Sequence, residues 1–121
     1  MPPTEKLRPT ERLRRSSEFL RVFRRGSCIR AAHLRVHYRQ NNRDLSRLGL
    51  VVTKRMGNAV VRKRLKRLLR EVFRRHKAAL PAALDVVLVP QGQSCDYDEY
   101  RVLFLRFAER SGERARPAAV R

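Results

Sequence analysis

Residues 62–70 read Arg-Lys-Arg-Leu-Lys-Arg-Leu-Leu-Arg, with cations at Arg62, Lys63, Arg64, Lys66, Arg67 and Arg70. On a helix turning about 100° per residue, Lys63, Lys66, Arg67 and Arg70 gather on one side. Arg64 flanks them, and Arg62 sits at the apolar edge of the first turn, where its long stem reaches outward. Only Glu71 offsets this charge. A solvated helix face usually interleaves acids at i+4, but here Lys63 repels Arg67 and Lys66 repels Arg70, at a few tenths of a kcal/mol per pair. A polyanion lying on the face removes that repulsion. Guanidinium groups grip phosphate through paired hydrogen bonds, so a nucleic-acid backbone is the partner this spacing fits.

Phosphate contacts carry no base information, and single-stranded RNA is usually also met by aromatic rings on which bases stack. Phe19 and Phe23 lie four residues apart on one helical face, a local pattern that core packing explains better than base stacking does. His37 alternates with Arg35 and Arg39 on the polar side of an extended segment, while Leu34, Val36 and Tyr38 take the other side. A ring between two arginines can contact a nucleic-acid strand, although a solvated surface histidine fits the same pattern. His33 and His76 read as surface histidines.

Signs of protein-borne catalysis are missing. Asp96, Asp98 and Glu99 cluster at a helix start, where capping and the helix dipole explain them. No nucleophile–base motif and no glycine-rich phosphate loop is found. Cys28 and Cys95 stand far apart and outside any CxxC pair, which fits reduced thiols rather than a zinc site. The sequence thus assigns no catalytic residue and no metal ligand.

The frame for these residues is small. A chain of 121 residues suits one domain, and 42% hydrophobic residues supply one modest core. The net charge of +19 lies wholly within residues 1–77, residues 78–121 being neutral in sum. Such a field attracts polyanions, nucleic acid first and an anionic membrane surface second. With no signal peptide or spanning segment in view, a soluble cytoplasmic protein is expected. Residues 1–11, with three prolines, read as a flexible arm, residues 12–110 as a single RNA-binding domain and residues 111–121 as a flexible tail.

Within the domain, residues 16–25 predict a helix capped by Ser16 or Ser17 and stopped at Gly26. Residues 33–39 and 48–53 predict two strands joined as a hairpin across Asn41–Asp44. Asn58 caps a helix over 58–77 whose apolar face holds Val61, Leu65, Leu68, Leu69, Val72 and Phe73. Residues 85–89 predict a buried strand, and 97–110 a last helix with Tyr100, Leu103, Phe104 and Phe107 inward. Helix, strand, strand, helix, strand, helix is an α+β order, a small sheet packed with three helices.

Three stretches then resemble the protein subunit of bacterial ribonuclease P. They are Leu13 to Gly26, with two aromatics and a closing glycine; Gly49 to Val61 running into Arg62–Arg70, similar to an Arg-Asn-Arg core followed by Lys-Arg and a further Arg; and the Asp85–Val89 strand with its following helix. The resemblance spans roughly residues 12–110. It implies an α/β sandwich with a sheet of about four strands and a left-handed βαβ crossover. It implies an endoribonuclease that removes the 5′ leader from precursor tRNA, catalysed by a large RNA that holds most of the Mg²⁺. The protein would bind that RNA and the leader, raising substrate affinity and lowering Mg²⁺ demand. Matched position by position, Phe19, Phe23, His37 and Arg55 fall in the leader-binding cleft, and Arg35, which alternates with His37 on the same strand face, is assigned to it with them. Arg62, Arg64, Lys66, Arg67 and Arg70 fall in the basic signature helix, and Lys63 stands where that signature has Asn. Pro90-Gln91 replace a frequent Ala-Arg. A dimer in the absence of RNA stays open, as does a second class of function, a ribosomal-protein-like RNA binder with no enzymatic partner. A DNA-binding helix fits less well, because the basic helix is followed by a strand.

Overall fold

The computed structural model describes residues 7–115, with side chains through Glu113. The rest of the expected arm, 1–6, and of the expected tail, 116–121, lies outside the described residues. Three helices, α1 (Ser16–Arg25), α2 (Ala59–His76) and α3 (Tyr97–Ala115), pack on four strands, β1 (Ser27–Ala31), β2 (Leu34–Gln40), β3 (Arg47–Leu50) and β4 (Leu84–Pro90). The strand order is β1-β2-β4-β3. β1 and β4 each pair antiparallel with β2, and β3 pairs parallel with β4. β3, α2 and β4 therefore form a parallel crossover unit inside a mixed sheet.

The expected hairpin between residues 33–39 and 48–53 is not formed. β2 takes β1 and β4 as neighbours instead. The reason lies in β4, which is buried at every position. A strand apolar on both faces must sit inside the sheet, and it displaces β3 to the edge. β1 was not read from the sequence at all. Its inward residues are only Ile29 and Ala31, too short an alternation to stand out.

The sheet is covered on both faces. Ile29, Leu34, Val36, Tyr38, Leu48, Val86 and Leu88 face α2 and α3, meeting Leu69, Val72, Phe73, Tyr100, Phe104 and Phe107. Tyr38 meets Phe107 edge-on. The opposite face carries α1, where Val22 packs with Leu13, Val87 and Val89.

Local capping differs from expectation at α1. Neither Ser16 nor Ser17 caps it; the Glu18 carboxylate reaches back to accept from the Arg14 and Arg15 N–H groups at 3.0 Å each. Asn58 does cap α2, accepting from the Val61 N–H at 3.0 Å. Gly26 follows α1 in an extended conformation, and the position requires glycine because a Cβ there would lie 2.3 Å from the Tyr38 carbonyl oxygen.

The ends of the described chain are packed. Leu7 and Glu11 are buried, and Glu11 pairs with Lys77 at the end of α2. Residues 111–115 continue α3, with Ser111 buried. His76, expected as an isolated surface residue, sits 3.3 Å from the Tyr97 hydroxyl between α2 and α3.

Candidate nucleic-acid interface

Strand register sets one part of the interface. On the α1 side of the sheet, Cys28, His37, Val87 and Gly49 form one row, and Arg30, Arg35 and Val89 form the next. α1 lies over β2 and β4 and brings its own aromatics to the first row. Phe23 meets His37 edge-on, with ring centroids 4.6 Å apart, and remains 37% exposed. Phe19 presses on Gly49, where a Cβ would lie 2.6 Å from the ring. The chain reaches this fit only with glycine at that row position.

The electrostatics of the row are unusual for a sheet face. Arg30 stands directly opposite Arg35, a like-charge pair that costs stability. The Arg35 Nε is buried with no hydrogen-bond partner. Burial first, then the charges of Arg35 and Arg30, push the His37 imidazole below the usual histidine range. The Cys28 sulfur lies 4.0 Å from the His37 Nε2. Arg30 was missed by sequence reasoning, because its pairing with Arg35 needs the hairpin that the pattern of 27–31 did not announce.

Next to this row lies a buried ion cluster that holds α1 in place. Arg47 donates to both oxygens of Asp85, at 2.8 and 2.7 Å, and to Glu18 at 2.7 Å. Asn41 donates to Asp85 as well, at 2.9 Å. The Arg14 and Arg15 N–H groups, with Arg47, hold the Glu18 carboxyl down at about 2. The first helix, the edge strand and the central strand are thus fastened at one point.

α2 supplies the second part. Its apolar stripe buries Leu65, Leu69, Val72 and Phe73, leaving Lys63, Arg64 and Arg67 exposed. Glu71 is engaged by Arg74 and Arg75 at the far end of the helix. None of Arg62, Lys63, Arg64, Lys66, Arg67 and Arg70 forms an ion pair among the described residues. Arg62 and Arg70 are half-buried, and the Arg62 Nε is buried without a partner.

The structure does not gather all the candidates at one spot. Phe23, Arg35 and His37 form one group. Phe19 faces a groove of about 320 Å³ that it shares with Lys66 and Arg70. Arg55 is exposed on the single turn Lys54–Met56, which packs against α2. That groove also holds Arg12, which sequence reasoning left unassigned at the border of the expected arm.

Among the described residues no three His, Cys, Asp or Glu side chains come together to hold a metal ion. No helix among them is long and apolar enough to cross a membrane.

Comparison with known proteins gives one answer. The family model described as Ribonuclease P matches residues 7–110. The ribonuclease P protein component of Thermotoga maritima is 41% identical over 88 residues, covering 73% of this chain and 75% of its own. That of Syntrophobacter fumaroxidans is 46% identical over 87 residues, covering 71% and 73%. The structure of the RNase P protein from Thermotoga maritima superposes with a TM-score of 0.75 at 36% identity, over 83% of this chain and 96% of that one. The Staphylococcus aureus RNase P protein follows with a TM-score of 0.62 at 26% identity, over 86% and 93%. A basic helix, an arginine-lined sheet face and these matches together place the chain in the family of bacterial ribonuclease P protein subunits, where catalysis belongs to the RNA.

Proposed function

We propose that this subunit works in the cytoplasm by holding two RNAs together, the catalytic RNA of ribonuclease P and the single-stranded 5′ leader of precursor tRNA. Arg62, Lys63, Arg64, Lys66, Arg67 and Arg70 take the catalytic RNA. Phe19, Phe23, Arg35, His37 and Arg55 take the leader. Mg²⁺ is held by the RNA, and the protein lowers the concentration needed by reducing repulsion between two polyanions. The observation that carries this reading is the α2 face, six cations with no acid paired to them among the described residues. Like charges are kept side by side on a helix at a cost, and an RNA backbone removes that cost.

The test is cleavage of precursor tRNA at low Mg²⁺, with catalytic RNA and protein supplied separately and together. Cleavage at the mature 5′ end is expected only with both present. If the protein fails to stimulate the RNA, the reading falls. Cleavage by protein alone would mean that a catalytic site exists in this chain.

A further inference from the structure

α1 forms one wall of the proposed leader site, and its apolar hold on the sheet is small. Val22 is its only buried residue and packs with Leu13, Val87 and Val89. Apolar contact of this kind is not directional, so it seats the helix without fixing its rotation. The rotation matters for the rings. Side chains on a helix lie near the surface of a cylinder about 10–12 Å across, so a turn of about 10° about the axis moves Phe19 and Phe23 by about 1 Å.

One carboxylate supplies the directional contact. Glu18 stands immediately before Phe19. Its Oε1 accepts from the Arg14 and Arg15 N–H groups at 3.0 Å each, which ties it to the start of α1. Its Oε2 accepts from the Arg47 Nη1 at 2.7 Å, which ties it to the sheet. Arg47 cannot follow a moving helix, because Asp85 holds its Nε and Nη2 at 2.8 and 2.7 Å. Asn41, which follows β2, donates to Asp85 in turn at 2.9 Å. Asp85 precedes Val87, in the row of His37, Val87 and Gly49, by two residues, about 7 Å along the strand. The anchor therefore stands beside that row and outside it.

Glu18 has no direct use for RNA. Both its oxygens are engaged, and a carboxylate repels phosphate. Around the helix axis it points about 100° away from Phe19 and about 140° away from Phe23. Fixing the direction of Glu18 thus fixes where both rings point. Charge-assisted hydrogen bonds, unlike apolar contacts, are short and demanding in geometry. We infer that Glu18 is a positioning residue for leader recognition: through Arg47 it sets the rotation of α1, and with it the placement of Phe19 and Phe23 over the sheet. This rests on the reading of that face as the leader site. It gives the Glu18–Arg47 pair a role in substrate discrimination, beyond its contribution to stability.

The test uses the holoenzyme reconstituted with catalytic RNA, assayed well below the Tm of each variant. Two precursors are compared that differ only in having a long or a single-nucleotide leader. Glu18→Gln keeps an amide oxygen for the Arg14 and Arg15 N–H groups but offers Arg47 no charge. It should raise KM for the long-leader precursor about tenfold, since a misplacement of about 1 Å can cost up to about a hundredfold. kcat, KM for the short-leader precursor and affinity for the catalytic RNA should stay as in wild type. If Glu18→Gln does not fold, Arg47→Lys carries the same comparison, because one ammonium cannot span Asp85 and Glu18 as the guanidinium fork does. An unchanged KM for the long-leader precursor overturns the positioning role. An equal rise for both precursors overturns it too, and leaves the pair a purely structural one. A wild-type holoenzyme with one KM for both precursors overturns the leader reading itself, and the positioning role with it.

Discussion

Phe23 meets His37 edge-on, 4.6 Å between ring centroids and 78° between planes, joining the first helix to the second strand. Phe23 keeps 37% of its surface exposed, more than core packing requires. Phe23→Ala should therefore reduce affinity for a single-stranded leader by about 1–3 kcal/mol with a small change in Tm. Fluorescence titration and thermal unfolding on the same variant check both halves. A large fall in Tm with leader affinity intact would assign the ring to the core.

The same contact has a pH signature. Burial, then Arg35 and Arg30, disfavour the imidazolium of His37, so the fold binds its proton less tightly than the unfolded chain does. The His37 contribution to stability is full above pH 6.5 and is lost as pH falls below that value towards the lowered folded-state midpoint. NMR titration of the His37 ring should place its midpoint below 6.5, and leader binding should raise it, because phosphate favours the charged form. His37→Phe should remove this component of the pH dependence.

Asp85 holds Arg47 through both oxygens, and Arg47 also holds Glu18. Asp85→Asn leaves a buried guanidinium with a poorer partner, and the expected cost is about 3–5 kcal/mol in denaturant unfolding. Glu18 titrates at about 2 against an ordinary 4.5, so its stabilisation is complete above pH 4.5 and disappears as pH falls towards 2. Glu18→Gln should flatten acid unfolding across that window. Glu18→Ala should cost about 1–2 kcal/mol at neutral pH through loss of the α1 cap alone.

Gly49 leaves room for Phe19, with 2.6 Å between the ring and the place a Cβ would occupy. Gly49→Ala should push the ring aside and cost about 1–3 kcal/mol of stability through overpacking. Leader binding should fall with it, and a crystal structure of the variant would show a moved Phe19.

The outward face of α2 is checked by salt. Arg64→Ala and Arg67→Ala should each reduce the slope of log affinity against log salt for the catalytic RNA by about 0.7–0.9. Unchanged slopes in both would remove this face from the contact.

The helices were legible because their signals are local. Leu65, Leu69, Val72 and Phe73 repeat at helical spacing, and all four are buried. Tyr100, Leu103, Phe104 and Phe107 do the same on α3. Sheet order was not legible from pattern. It depends on β4 claiming the centre, a competition between strands that lie far apart in the chain. The site divided the same way. The α2 cations stand in one run, whereas Arg12 reaches Lys66 and Arg70 only when the fold brings residues more than fifty positions apart to one groove. Arg47, Asp85 and Glu18 are likewise joined across the fold, and no window of sequence contains them together.

The placement of β4 also sets the order of events during synthesis. It begins at Leu84, yet β2 and β3 both need it as their neighbour. Until residue 90 has left the ribosome, β2 can pair only with β1, and β3 has no neighbour in the sheet. The two thirds of the chain that carry all the excess charge, residues 1–77, therefore emerge before the central strand that completes the sheet. Contacts spanning some fifty residues also make for slow folding. The nascent subunit meets the cell's RNA as a basic chain before its four-stranded sheet is complete.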